Sequence, residues 1–333
     1  MKKFNYLILA GLSLVAAISC NKQLTPTDEP EAKAGIPMTL TATIGGPETK
    51  LGYTDESNVL KGQWNANESI SVITLDDSKC VVTIDTFTTG SESEGSKTAD
   101  FKGTLSAGAT SDIRVLYPAV SKYDDKNYGT SLKEGSTASR LIDGIQIGNS
   151  WATFDETYMT QPASGSTAHL GNATILEGIG AVSGSVLTVD LKPLNAVMRL
   201  DITLPSDAVG KALKAMVLTA SNSSGYYEFH KYNWFYYFEG KNRTANSQQI
   251  NIYLGSRSGG THEQMTIAST KLVVYIPFVP GEGVVLGPSG GSELRLNCQS
   301  DFGFTGTKNI TLSNDTALEP GKLYRLNVDF TTP

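Results

Sequence analysis

A chain's chemistry is set first by its imidazoles, thiols, carboxylates and amines. This chain of 333 residues holds three histidines, three cysteines and 33 acidic residues. His169, His230 and His262 are isolated from one another, without the His-x-x-x-His spacing that holds a metal. No Gly-x-Ser-x-Gly elbow opens a helix for a serine nucleophile. The glycine-rich runs Ser256–Gly260 and Gly290-Gly291-Ser292 lack a phosphate-binding lysine and read as surface turns. Nothing singles out a carboxylate pair for glycoside hydrolysis. The residues therefore predict no enzyme, no cofactor and no metal.

Three other features carry chemistry of a different kind. The first is Cys20. Lys2 and Lys3 precede an apolar run from Tyr6 to Ala17, too short to span a bilayer, which ends in Ala17-Ile18-Ser19-Cys20. Small residues before a cysteine at that point resemble a bacterial lipobox, in which Cys20 becomes the mature N-terminus and carries a lipid. Such an anchor attaches a protein to a membrane without spanning it. Residues 1–19 then form a lipoprotein signal peptide, and residues 20–36, polar and proline-bearing, form a flexible tether.

The second feature is Lys50. It sits in a polar, turn-rich connection behind Gly45-Gly46-Pro47, where a protease could cut without touching a core. Lys61 is a second basic candidate. The third is Tyr226 to Phe238, where nine aromatics fall in thirteen residues. In a regular strand Tyr226, Tyr232, Trp234, Tyr236 and Phe238 share one face, and Tyr227, Phe229, Phe235 and Tyr237 the other. Two readings stay open. The rings fill a core, or Tyr226, Tyr232, Trp234 and Tyr236 form a surface for a glycan or protein.

Removing residues 1–19 takes away Lys2 and Lys3 and no acid, which leaves 25 basic against 33 acidic residues and a net charge of −8. No basic patch stands out, so no nucleic-acid partner is expected. Cys80 and Cys298 lie 218 residues apart and read as two buried strand cysteines rather than a disulfide.

The elements that must position these features are strands. Met38, Leu40, Ala42 and Ile44 alternate with Thr39, Thr41 and Thr43, which predicts a strand with one buried face. Further short strands are expected at 70–75, 80–87, 99–105, 113–117, 186–191, 196–204, 213–220, 249–254, 271–278, 293–298, 308–312 and 323–330, with Gly, Ser and Asn turns between them. The length suggests about two domains. The pattern restarts near residue 182, so the expected division is an N-terminal β-sandwich over 37–182 and a C-terminal one over 183–333.

With these pieces in order, the chain resembles the fimbrillin-like lipoproteins, the type V pilins of certain Gram-negative bacteria. The resemblance rests on Cys20, Thr49-Lys50-Leu51 after the first strand, and Trp64 before Glu68-Ser69-Ile70-Ser71-Val72. It rests also on Ala99-Asp100-Phe101-Lys102-Gly103, Leu116-Tyr117-Pro118-Ala119 and the closing Leu318-Glu319-Pro320-Gly321-Lys322-Leu323-Tyr324. It covers nearly the whole chain.

The resemblance implies an all-β protein of two tandem transthyretin-like β-sandwich domains, exported to the outer membrane through lipid on Cys20. In polymerising members a surface protease cuts after a basic residue behind the first strand, here Lys50. The vacated groove then accepts a strand from another fimbrial subunit, joined by β-strand addition. Relatives often carry arginine where this chain has Lys50. Only Thr331-Thr332-Pro333 follow the last expected strand, so on this reading the chain accepts a donor strand without giving one, as a tip subunit would. The expected role is a structural subunit of a type V fimbrium at the cell surface, contributing to adhesion to a host or bacterial ligand. The alternative is a surface lipoprotein that never polymerises and binds through residues 226–238.

Overall fold

The structure, a computed structural model, describes residues 35–44, 54–56, 59–75, 81–106, 112–119, 121–122, 131–132, 160–172, 174–222, 225–226, 230–231, 246–247, 249–258, 261–278, 280, 283–289 and 293–332. The fold is all-β. Among the described residues the α-helix α1 is the single turn and a half Ala168–Asn172. No helix among the described residues is long and apolar enough to cross a membrane.

The first unit is built from β1 (Ile36–Ile44), β2 (Ser69–Leu75), β3 (Val81–Thr89), β4 (Thr98–Leu105), β5 (Asp112–Tyr117), β6 (Leu176–Ser183) and β7 (Val186–Pro193). These strands pair in the order β1-β7-β6-β5-β2-β3-β4, and β4 returns to β1. The expected sandwich is therefore one whose edges are joined into a ring. Inside it lie Leu40, Ile70, Val72, Phe87, Phe101, Leu105, Ile113, Leu187 and Leu191. Trp64 fills the middle, edge-on to Phe101 at 5.0 Å and to Tyr117 at 5.7 Å between ring centroids.

The second unit has two sheets. One contains β9 (Ala215–Asn222), β10 (Gln249–Ser258), β11 (Thr261–Thr266), β13 (Glu293–Gln299) and β14 (Gly306–Ile310), paired β11-β10-β9-β13-β14. The other is β12 (Lys271–Phe278), β8 (Ala196–Thr203) and β15 (Leu323–Asp329), with β8 in the centre. Met198, Leu200 and Ile202 of β8 meet Met216, Leu218 and Ala220 of β9 in one core. The same core takes in Ile73, Leu75, Ile84 and Leu116 from the outer face of the ring, so the two units are packed together through apolar side chains.

Two of the longer strands depart from the sequence-based expectation. β6 was expected as no strand, because Gly178 and Gly180 occupy its inward positions and glycine weakens a strand pattern. Here Gly178 is required, since a Cβ there would collide with Val189 and the Asp190 carbonyl, while one at Gly180 would press on the end of the Leu187 side chain. β11, with the polar sequence Thr-His-Glu-Gln-Met-Thr, also lacks the apolar alternation that marks a strand. Residue 183 falls in the β6–β7 hairpin, where Ser183 pairs with Val186. Sheet membership changes later, between Pro193 at the end of β7 and Ala196 at the start of β8. Ile145-Gln146-Ile147, whose sequence also reads as one more short strand, lies outside the described residues.

Candidate functional site: the β1 seam

β1 forms because its threonines and apolar residues alternate with period two, which puts one row of side chains on each face. Met38, Leu40, Ala42 and Ile44 point into the ring core and are buried. The threonines face outward. Thr41 donates to Asp100 Oδ1 at 2.7 Å, and the hydroxyls of Thr43 and Thr98 lie 3.1 Å apart.

Two ladders hold the strand. Thr39 to Ile44 run parallel to Val186 to Leu191 of β7. Ile36 to Thr43 run antiparallel to Leu105 to Thr98 of β4. β1 is thus the piece that closes the ring, and taking it away would leave β4 and β7 as the walls of a groove with free backbone edges. The groove floor would be the core residues now covered by Met38, Leu40, Ala42 and Ile44. Burying the three large side chains is worth about 5–9 kcal/mol.

β7 and β4 were not legible as the neighbours of β1. They lie far along the chain, and register across a parallel ladder leaves no local sequence mark. The alternation of Leu187, Val189 and Leu191 and of Ala99 and Phe101 was the available signal.

The other sequence-selected residues fall as follows. Cys20, Lys50 and Cys80 lie outside the described residues. So do Tyr232, Trp234 and Tyr236. Tyr226 is described in its backbone alone, where Gly225–Tyr226 turns back on Asn222 and Ser221 of β9. The chain at Lys61 runs in a short antiparallel pair, Thr54–Glu56 with Val59–Lys61.

Cys298 is buried on β13 as a free thiol, and burial pushes its pKa up to about 12. His169 is buried beside β12, with Nε2 2.8 Å from the Tyr275 carbonyl. Burial lowers its pKa to about 4, against a smaller opposing effect of that hydrogen bond. His262 Nε2 lies 3.1 Å from the Leu254 carbonyl. Among the described residues no group of histidine, cysteine and carboxylate side chains could hold a metal ion. Ser256 to Ser258, read as part of a surface turn, are instead the last residues of β10 and pair with β11.

The seam defines a class of protein: a β-domain whose ring is closed by its own first strand. No known family profile matches the chain, and no curated protein matches it either. Solved structures do. The chain is similar to a candidate cell adhesion protein from Bacteroides fragilis, at 10% identity and a TM-score of 0.44, over 88% of this chain and 92% of that one. A candidate cell adhesion protein from Bacteroides eggerthii gives 16% identity and a TM-score of 0.41, over 90% and 88%. The fimbrial anchor protein Mfa2 from Porphyromonas gingivalis gives 12% identity and a TM-score of 0.32, over 79% and 77%.

Proposed function

We propose that this chain is a non-enzymatic subunit of a cell-surface fimbrium, exported as an outer-membrane lipoprotein through Cys20 and joined to its neighbours by exchange of β1. The observation that carries the reading is the double ladder of β1, between parallel β7 and antiparallel β4. A cut after Lys50 frees the C-terminal end of β1 from the chain. What then retains the strand is non-covalent. An incoming strand with the same inward pattern regains the same backbone hydrogen bonds and the same apolar burial, so exchange is close to neutral in contacts and is driven by whatever the donor adds. Adhesion is the role such a fibre would serve.

The test is the mature N-terminus and intact mass of the protein taken from the cell surface. A chain that begins at Leu51 and runs as a ladder of multimers in mild denaturant supports the proposal. A chain that begins at lipidated Cys20 and stays monomeric after limited trypsin overturns exchange, and moves attention to residues 226–238 as a binding segment.

A further inference from the structure

The outer face of the ring holds a hollow of about 520 Å³, lined by four neighbouring strands, β1, β7, β6 and β5. Its volume lies within the range of small-molecule sites.

Strand register sets the lining side chains in rows, since outward residues of paired strands stand side by side. In the first row Thr41 of β1 is opposite Thr188 of β7, and Thr188 is opposite Ala181 of β6. In the second row Thr43 is opposite Asp190, and Ile179 of β6 is opposite Arg114 of β5. The third row pairs Lys192 of β7 with Glu177 of β6. Asp190 and Ile179 are therefore central, each between the two other lining residues of its own outward row. β7 turns Thr188, Asp190 and Lys192 outward because Leu187, Val189 and Leu191 are buried in the ring. Ile179 is 64% exposed, a large aliphatic side chain left bare in the middle of a polar face.

The chemistry of this lining is balanced. Two carboxylates, Glu177 and Asp190, share the hollow with two cations, Arg114 and Lys192. A ligand with a net charge is attracted by one pair and repelled by the other, whereas a neutral ligand meets no such penalty. Thr41 donates to Asp100 Oδ1 at 2.7 Å and Thr188 to the Ala181 carbonyl at 3.4 Å, so each hydroxyl keeps its lone pairs for a ligand's donor. Carboxylates accept, and guanidinium and ammonium groups donate. Donors and acceptors thus alternate at about the 5 Å spacing of adjacent strands. A sugar matches that pattern. Each of its hydroxyls both donates and accepts, its hydroxyls sit side by side on the ring, and its C–H face is apolar.

We propose that this hollow binds a neutral carbohydrate, with the C–H face of the sugar against Ile179 and its hydroxyls bonded by Asp190, Glu177, Arg114 and Lys192. The inference rests on the adhesive reading above for its purpose and gives that reading a ligand class. The hollow is complete in the uncut chain, so binding there and exchange of β1 can fail separately.

The experiment titrates the full, uncut chain, methyl-labelled at isoleucine, with four neutral sugars: galactose, N-acetylglucosamine, lactose and maltose. Glucosamine and glucuronic acid serve as the cationic and anionic counterparts. At up to about 50 mM, enough to reveal a millimolar site, at least one neutral sugar should shift the Ile179 methyl resonances. Neither charged sugar should bind as tightly. Asp190→Ala, at an exposed position, should weaken the binding at least about 10-fold with the circular dichroism unchanged. Thr39→Ala, on the same face of β1 but opposite Val186 and outside the hollow, should leave it unchanged. No shift at Ile179 with any neutral sugar, tighter binding of a charged sugar, or binding indifferent to Asp190→Ala overturns the proposal. None of these outcomes bears on exchange of β1, which is read from the mature N-terminus and the multimer ladder.

Discussion

Ala42 stands directly opposite Ala99 in the ladder between β1 and β4. Both are buried, Ala42 at 0% and Ala99 at 5% exposure, in a core whose volume is taken by Trp64, Phe101 and Phe87. Small faces small in a core that these rings share. Ala42→Leu should therefore destabilise the folded chain by about 1–3 kcal/mol through overpacking, read as a drop in the urea midpoint at unchanged slope. The same site sets a requirement on any strand that replaces β1: its third inward residue must be small.

Leu40 is fully buried between Phe101 and Leu187. Leu40→Ala should cost about 2–5 kcal/mol, from lost burial and the cavity left behind. Thr41→Ala, one residue away on the outward face, removes one exposed hydrogen bond and should cost at most about 1 kcal/mol. Equal losses would contradict the assigned faces of β1.

His169 makes stability depend on pH. Its folded pKa, about 4, lies below the ordinary imidazole value of 6.5 because the ring is buried. The neutral form is favoured by folding, so its contribution is complete above about 6.5 and is lost as pH falls toward 4. Between pH 7.5 and pH 5 the loss should be about 2 kcal/mol. Denaturant titrations at the two pH values should show that loss in the native chain and a smaller one in His169→Leu.

Cys298 should be inert in the folded chain. Its thiol is buried opposite Met216, and its raised pKa leaves almost no thiolate at neutral pH. Peptide mapping after iodoacetamide should find it unmodified in native conditions and modified in denaturant. Rapid native labelling would mean that β13 opens.

The strands that the sequence showed are those whose buried faces alternate cleanly, such as β1 and β8. β6 was hidden because Gly178 and Gly180 hold its inward positions, Gly178 for want of space beside Val189. The sequence puts its division near residue 183 and sheet membership changes between Pro193 and Ala196; β7 and β8 have the same alternating pattern, and the pattern does not say which core it faces. Gln161 looked like one more polar residue before a turn-rich stretch. Its side chain bonds the backbone of Val273 and Tyr275, more than a hundred residues on, and no local pattern marks that meeting. The β1 seam was legible as a strand and a connection, and its two neighbours were not.

The most direct test of strand exchange pins β1 in place. The hydroxyls of Thr43 and Thr98 are 3.1 Å apart across the β1–β4 ladder, so Thr43→Cys/Thr98→Cys can form a disulfide there. The chain is cut after Lys50, mixed with fimbrial subunits from the cell surface that carry donor strands, and followed by non-reducing and reducing gels in mild denaturant. The account predicts that the oxidised, cut chain keeps β1 and stays monomeric, and that reduction lets it form ladders like the unpinned chain. Ladders of equal yield with the disulfide intact would show that subunits join without releasing β1, and would contradict the account.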